Sequence, residues 1–471
     1  MHIGQKGRTR SVRPAALCIQ AMSTVENRCW SSGRLFRYLT LTSGLLATFQ
    51  TILTSAAIMI INVATGILTA RYLGPDGRGE QAAMAVWPQL LAFCFSVGMA
   101  QTIIFKVNHD RSHASDFVVP ALLVSAVAGT AAGLSGVALI PHWLGNYSRE
   151  TIWFAQLMMV ATPLSAIYYV GSAGVQAAGR FFWYNILLLI PPVLTLLALL
   201  LLVALGEFWP KTSTLAYILP VVPALTCALV FVFRIYRPVF VVRPHIMRKL
   251  LSYGMRVWGI DLLVTLSRQV DRAILIGLLS AADLGAYVVA QSIASVLYII
   301  PNSVCAVLYP RTAGRSPKEI LATSGFAIRI CGIIVGLAAI VVGVCAPFLL
   351  TILYGPAFAE AVVPFRILAA DAVFTAINIL SVQVFMAAGR PGLVAILQAV
   401  GLAAYIPLAF VLVPLYGLNG AAVAWLASSV LRLVSIFCCF PLVLNARPPW
   451  PIPRRSDIAE LRAKISLERR A

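Results

Sequence analysis

The feature that most constrains this chain is a series of apolar segments that fills nearly its whole length. A helix that spans a bilayer needs about 20 mostly apolar residues. Apolar residues make up 60% of the chain and charged residues 11%, against roughly 45–50% and 25% in soluble domains. We therefore expect an all-α integral membrane protein with twelve transmembrane helices, at 44–71, 82–107, 117–141, 152–178, 182–205, 214–236, 247–277, 283–309, 322–353, 361–388, 392–415 and 418–445.

The two halves of the chain repeat the same local sequence at the same points of this pattern. The tetrapeptide AAGR at 177–180 recurs at 387–390, and a slightly shorter offset of 206 residues pairs Gly79 with Gly285. Each half therefore holds six segments in the same order, and because six is even, both halves enter the membrane from the same side. We expect two parallel-repeat six-helix lobes around a central cavity, as in many transporters. The expected divisions are a basic cytoplasmic N-tail at 1–42, an N-lobe at 43–240, a C-lobe at 241–446 and a basic cytoplasmic C-tail at 447–471.

Basic residues predict the orientation. With the N-terminus in the cytoplasm, the inner loops and tails hold 26 Lys and Arg residues and the outer loops hold 4, among them Arg78. This asymmetry follows the positive-inside rule, so we place both termini in the cytoplasm. It also explains the net charge of +20 without a nucleic-acid partner. The basic loop 234–249 is expected to lie on anionic membrane lipids; the alternative is a topology signal without a ligand. Translation could begin at Met1 or at Met22.

Several chemistries have no support in the sequence. The nine cysteines are scattered and show no CxxC spacing, so no metal site is expected from them. His109 and His113 are four residues apart, and a solvated loop is the favoured interpretation of that pair. No phosphate-binding loop of an ATPase is present. The connecting loops are short, so we expect no catalytic domain, no cofactor and no enzyme activity.

Ionisable residues inside the seventh segment are the first candidates for a binding site, because charges within a membrane usually mark a pathway or a pair. They are Arg256, Asp261, Arg268, Asp271 and Arg272. At about 100° per residue, Asp261, Arg268 and Arg272 share one face and Asp271 flanks it. A guanidinium can donate two hydrogen bonds to a phosphate at once. The alternative is an internal Asp–Arg network, and the two interpretations are compatible.

The first segment carries an uncharged version of the same stripe. Ser55, Asn62 and Thr65 fall on one face, and at the 206-residue offset Ser55 matches Asp261 and Asn62 matches Arg268. We expect the two helices to line one cavity, with Asn62 and Thr65 bonding substrate hydroxyls. The alternative is a close helix contact, where small polar residues are common.

Acidic residues inside the helices are candidates for ion coupling. Asp371 lies in the tenth segment, and Asp371 and Asp271 are our candidates for coupling to protons or sodium. For Asp371 the alternative is a structural ion pair with Arg366 or Arg432.

The chain resembles a known family in several stretches. These are LTARYLGPDGRGEQAA at 68–83, the segment 250–291, LYGPAFAEAVVPFRILA at 353–369 and the segment 387–425. They resemble the polysaccharide flippases, the O-antigen and exopolysaccharide lipid-carrier translocases of the multidrug/oligosaccharidyl-lipid/polysaccharide exporter superfamily. The likeness covers roughly residues 40–445. Lipid II flippases resemble the chain less, since they carry fourteen segments. Many drug extruders carry an acidic residue in the first helix, and this first segment has none.

The resemblance implies a function. The expected substrate is an undecaprenyl-diphosphate-linked oligosaccharide, such as an O-antigen, exopolysaccharide or capsule repeat unit, carried from the inner to the outer leaflet of the bacterial cytoplasmic membrane by alternating access. Polysaccharide polymerase and glycosyltransferases are the candidate protein partners. Two alternatives remain at this point: a cation-coupled multidrug or metabolite antiporter of the same superfamily, and a membrane polysaccharide polymerase or ligase.

Overall fold

The computed structural model describes residues 44–238, 243–312 and 317–449. Contacts divide the chain into a first unit, Met1–Ala47, and a second unit, Thr48–Ala471. Only the start of one helix, from Gly44, is described in the first unit. The predictions for the N-tail at 1–42 and for most of the C-tail at 447–471 lie outside the described residues, and everything below concerns the second unit.

The described residues form helices joined by short turns. In chain order they are α1 (Gly44–Cys94), α2 (Met99–His109), α3 (Ala114–Trp143), α4 (Arg149–Met158), α5 (Ala161–Ala177), α6 (Phe181–Leu205), α7 (Pro210–Ile218), α8 (Val221–Tyr236), α9 (Pro244–Leu278), α10 (Ala281–Ala294), α11 (Ile299–Thr312), α12 (Pro317–Val344), α13 (Ala346–Tyr354), α14 (Val362–Ala387) and α15 (Pro391–Leu444). Three short 3₁₀ turns are Arg111–His113, Ser295–Tyr298 and Pro356–Ala361. No strand occurs among these residues, and the predicted all-α class is confirmed.

Glycines divide the two longest helices into arms. Gly74 in α1 has φ 67° and ψ −176°, and Gly417 in α15 has φ 55° and ψ −132°. Both conformations are open to glycine and costly for other residues. The kinks fall between the predicted segments 44–71 and 82–107, and between 392–415 and 418–445. The helix α15 therefore holds both predicted segments 392–415 and 418–445, whereas the predicted segment 82–107 begins in α1, breaks at 95–98 and continues in α2.

Nine stretches of the described residues are long and apolar enough to cross a membrane, and three of them join consecutive helices (α4 with α5, α7 with α8, and α10 with α11). Two of these nine are the kinked helices with two arms each, and the charged helix α9 is not among them. The multi-pass membrane character is thus a property of the fold, whereas the count of twelve transmembrane helices stays a prediction.

Apolar packing joins the two halves of the chain. One cluster of buried residues draws on both halves and contains Met84 and Trp87 together with Tyr287 and Phe365. A second cluster is centred on α2, α3, α5 and α8, and two smaller ones lie in the second half. The start of α9 contributes Ile246 and Leu250 to the second cluster. The lobe boundary at 240/241 stays a prediction.

The repeated AAGR tetrapeptides adopt the same conformation. Gly179 has φ 74° and Gly389 has φ 73°, and each follows a helix (α5 or α14) and precedes the next (α6 or α15). Left-handed glycines just after a helix are common terminators. The sequence repeat is therefore also a repeat of local structure.

Candidate functional site

A cavity of about 630 Å³ lies between elements of the two halves, within the roughly 300–1,000 Å³ range of small-molecule sites. From the first half it is lined by both arms of α1, by α6 and by α7; from the second half it is lined by α9, α10, the following 3₁₀ turn and α11. Its position matches the central cavity expected from the internal repeat.

The cavity walls follow the repeat. The second arm of α1 contributes Arg78, Ala82, Ala85, Val86 and Gln89. At the 206-residue offset these positions become Leu284, Val288, Gln291, Ser292 and Ser295, which also line the cavity. Two repeat-related helices therefore face each other across one space, with different side chains at equivalent positions.

Three predicted binding residues lie on this cavity: Asn62, Thr65 and Arg272. The Asn62 side chain is exposed. Thr65 is buried and its hydroxyl donates to the Asn62 carbonyl at 3.0 Å. Ser55, on the same stripe of α1, also lines the cavity. The arrangement brings the α1 stripe and Arg272 together, and their role in binding stays a prediction.

Arg272 belongs to a three-residue network. Its Nε donates to the Gln291 side-chain oxygen at 2.8 Å, and the Gln291 amide nitrogen donates to an Asp271 oxygen at 2.6 Å. Asp271 is fully buried and does not line the cavity, whereas Arg272 is exposed to it. A neutral amide thus links the arginine to the carboxyl group, and the guanidinium has further donors besides Nε on a side chain that lines the cavity.

Arg78 is a cavity residue that the sequence analysis placed in an outer loop. It lies within α1 after the Gly74 kink, is 7% exposed and lines the cavity. One of its terminal nitrogens donates to the Gln81 side-chain oxygen, while Nε has no hydrogen-bond partner among the described residues. Buried polar groups are nearly always satisfied, and this Nε is an exception within a side chain that lines the cavity.

The remaining polar lining is neutral. Amides and hydroxyls come from Ser55, Asn62, Thr65, Gln81, Gln89, Thr195, Tyr217, Gln269, Gln291, Ser292, Ser295, Tyr298 and Asn302. Among the described lining side chains, two guanidiniums and no carboxylate occur. The cavity can therefore hold an anion and form hydrogen bonds with hydroxyl groups.

Other predicted residues are not on the described cavity wall. The side chains of Asp261 and Arg268 lie outside the described ones. Arg256 is exposed, does not line the cavity and has its Nη2 3.4 Å from the Ser252 hydroxyl.

Asp371 is fully buried in α14 beside the cavity wall. The hydroxyl of Tyr298, a cavity residue, lies 3.3 Å from an Asp371 oxygen, and the Thr375 hydroxyl lies 3.2 Å from the same atom. Arg366 donates from Nε to the Gly343 carbonyl at 2.9 Å, and Arg432 donates to Gln398 at 2.9 Å. The ion-coupling role of Asp371 and Asp271 stays a prediction. Across the described ranges, no three His, Cys, Asp or Glu residues group so as to hold a metal ion.

The sequence carries a signal for several cavity-lining residues that were not predicted, among them Gln81, Gln89 and Gln291. On the second arm of α1, Gln81, Ala85 and Gln89 recur at helical spacing. On α10 and its continuation, polar residues at Gln291, Ser295 and Asn302 do the same. The amides Gln291 and Asn302 of the eighth predicted segment carry the same helical signal as the polar stripe of the first segment.

Comparison with known proteins identifies a family for the sequence and solved structures with a similar fold. A model of the family described as "Polysaccharide biosynthesis protein" matches residues 68–363, more than half of the chain. A comparison with curated proteins gives no match.

Among solved structures, an inward-facing multidrug resistance MATE family transporter of the MOP superfamily is similar at 15% identity and a TM-score of 0.69, covering 82% of this chain and 94% of that one. The lipid II flippase MurJ in an inward closed conformation is similar at 13% identity and a TM-score of 0.71, covering 84% and 88%. A MOP superfamily transporter from Pyrococcus furiosus, whose binding pocket is described as having reverse polarity, is similar at 14% identity and a TM-score of 0.62, covering 87% and 97%. The chain belongs to the polysaccharide biosynthesis protein family, and its fold is the one shared by these MOP-superfamily transporters and flippases.

Proposed function

We propose that the chain is a flippase that moves an undecaprenyl-diphosphate-linked oligosaccharide from the inner to the outer leaflet of the bacterial cytoplasmic membrane by alternating access. The observation that carries the proposal is the polarity of the cavity. Arg78 from one half and Arg272 from the other line a space that otherwise presents amides and hydroxyls. A diphosphate joined to sugars presents the complementary groups.

Each part of the cavity has a proposed role. Arg272 and Arg78 contact the diphosphate, because guanidinium donors form strong charge-assisted bonds with phosphate oxygens. Arg268, predicted on the same face of α9, is a further candidate contact, and Asp261 is a candidate for orienting it. Asn62 and Thr65 bond sugar hydroxyls. The prenyl tail remains among the membrane lipids.

The driving force and the partners belong to the same proposal. Asp371 and Asp271 are the proposed sites of proton or sodium coupling, and Asp371 is linked to the cavity through Tyr298. Polysaccharide polymerase and glycosyltransferases are the proposed partners that consume and supply the lipid-linked repeat unit. Both chain termini are placed in the cytoplasm. The family match to polysaccharide biosynthesis supports this setting.

A cation-coupled multidrug antiporter is the second candidate, because a MATE family transporter shares the fold and a buried carboxyl group lies beside the cavity. The two candidates differ in the charge that the cavity should attract. A cationic drug would meet two guanidiniums in the described lining, which disfavours its entry. The anionic substrate is therefore the better match.

The test is leaflet translocation of a labelled undecaprenyl-diphosphate oligosaccharide in proteoliposomes. Arg272→Ala and Arg78→Ala should each slow translocation by about 10- to 100-fold, since a hydrogen bond to a charged group contributes about 1.5–3 kcal/mol. Arg366→Ala is the matched control, because Arg366 is exposed, binds a backbone carbonyl and does not line the cavity.

Three outcomes would count against parts of the proposal. Wild-type protein that moves no lipid-linked glycan, with or without an imposed proton or sodium gradient, would contradict the flippase function. Full transport by both arginine variants would show that Arg78 and Arg272 do not bind the diphosphate. Efflux of a cationic drug by the same proteoliposomes would favour the antiporter.

A further inference from the structure

Two glycines related by the internal repeat lie where α1 meets α10, one residue beyond the cavity-lining pair Arg78 and Leu284. Gly79 packs against the backbone of Ala281, and Gly285 packs against the backbone of Pro75. The 206-residue offset that relates Gly79 to Gly285 also relates Pro75 to Ala281. The four residues, here called the glycine crossing, thus form two equivalent contacts, as at a two-fold interface.

Close approach is what requires glycine in the glycine crossing. A Cβ atom on Gly79 would lie 2.6 Å from the Ala281 carbonyl carbon and 3.0 Å from its Cα. A Cβ atom on Gly285 would lie 2.9 Å from the Pro75 carbonyl carbon and 3.0 Å from the Gly79 nitrogen. Neither glycine has a positive φ. The nearest opposing atoms are the carbonyl oxygens of Ala281 and Pro75, and contacts between carbon and oxygen are normally about 3.3 Å or longer. Because backbone atoms cannot move aside as a flexible side chain can, any side chain at either glycine would force the helices apart.

Other contacts join the two halves at the same end of the cavity. Arg71, four residues before Pro75, donates from Nε to the Leu353 carbonyl at 2.8 Å and from a terminal nitrogen to the Ile352 carbonyl. The Trp143 indole N–H donates to the Ala273 carbonyl at 2.9 Å. These bonds end on backbone carbonyls, so they hold helix positions and do not select a ligand. Close backbone packing at the glycine crossing and these side-chain-to-backbone bonds therefore hold the two halves together next to Arg78.

We propose that the glycine crossing is the gate that closes the outer end of the cavity and must part before substrate leaves. The proposal rests on alternating access and on the predicted orientation, in which this end faces outward. A side chain at Gly79 or Gly285 acts as a wedge, prevents closure and shifts the population towards the outward-open state. Because the two contacts are equivalent, a wedge at either position has the same effect.

Cysteine accessibility tests the gate without any substrate. The reporter is Ser292→Cys in a background whose native cysteines are replaced, because Ser292 lines the cavity and cysteine is close to it in size. Intact cells are treated with a membrane-impermeant maleimide. Gly79→Val and Gly285→Val should each raise the outside labelling rate at least 10-fold. Gly343→Val is the matched control, since this helical glycine has no atom within 4 Å of its Cβ position.

Folded valine variants that label no faster than the control would overturn the proposal. Should the valine variants fail to accumulate, Gly79→Ala and Gly285→Ala replace them, because a methyl group alone would meet the opposing backbone. Each alanine variant should raise the outside labelling rate of Ser292→Cys; labelling no faster than in Gly343→Ala would also overturn the proposal. A changed labelling rate together with no translocation of the lipid-linked glycan would leave the gate intact and contradict the proposed substrate.

Discussion

Replacing Gln291 by methionine is expected to destabilise the folded protein, because Gln291 supplies the hydrogen bond that a fully buried carboxyl group receives from α10. The amide nitrogen lies 2.6 Å from the Asp271 oxygen, and the other Asp271 oxygen has no hydrogen-bond partner among the described side chains. Methionine keeps the length of the side chain and removes the donor. Leaving a buried polar group unsatisfied costs about 1–3 kcal/mol.

The contribution of Arg272 to this loss should be small. Its Nε loses the bond to the Gln291 oxygen, but the side chain is exposed to the cavity and water can replace that acceptor. Gln291→Met is therefore expected to lower the free energy of unfolding by about 1–3 kcal/mol, because the buried Asp271 carboxyl group loses its donor.

Unfolding in mixed micelles, followed by tryptophan fluorescence, measures the effect in a double-mutant cycle. Asp271→Leu removes the carboxyl group itself, so Gln291→Met in that background should cost at least about 1 kcal/mol less than in the native background. Gln89→Met is the matched control, because Gln89 is an exposed cavity residue. Equal losses for Gln291→Met and Gln89→Met, or no coupling to Asp271, would refute this reasoning.

Three further substitutions test other contacts by the same unfolding measurement. Phe385→Ala should lower the free energy of unfolding by about 3–5 kcal/mol, because Phe385 is fully buried; a loss below 1 kcal/mol would contradict its place in the core. Trp143→Phe removes the indole donor to the Ala273 carbonyl and should cost about 1 kcal/mol, with no change if that bond does not form. Tyr298→Phe removes the hydroxyl beside Asp371 and should lower the free energy of unfolding by about 1 kcal/mol, or by up to 3 kcal/mol if the carboxyl group is left unsatisfied. Unchanged stability would contradict a hydrogen bond between Tyr298 and Asp371.

The sequence predicts the fold well where the signal is local. Apolar length predicts the helices, and the repeat predicts the shared turn at Gly179 and Gly389. The polar stripe on the first segment predicts that Asn62 and Thr65 share a face, and the structure places both on the cavity with Arg272. The shared face of Asn62 and Thr65 follows from helical periodicity.

The site is less predictable where it depends on tertiary packing. Arg78 lies in the loop predicted between the segments 44–71 and 82–107. A proline is accepted in the first turn of a helix, so the second arm of α1 starts near Pro75 and carries Arg78 to the cavity. Asp271 is one residue from Arg272 and turns away from the cavity to meet Gln291. That partner lies 20 residues later on another helix, and no local pattern reveals it.

The choice of partner for the arginines has an electrical consequence. Arg78 donates to Gln81, and Arg272 donates to Gln291. A glutamine oxygen satisfies a donor without cancelling its charge. Moving one elementary charge through 100 mV is worth about 2.3 kcal/mol. In the proposed cycle, a bound diphosphate neutralises charge that the glutamines leave in place, so the transmembrane voltage acts mainly on the empty protein and its return to the inward-facing state.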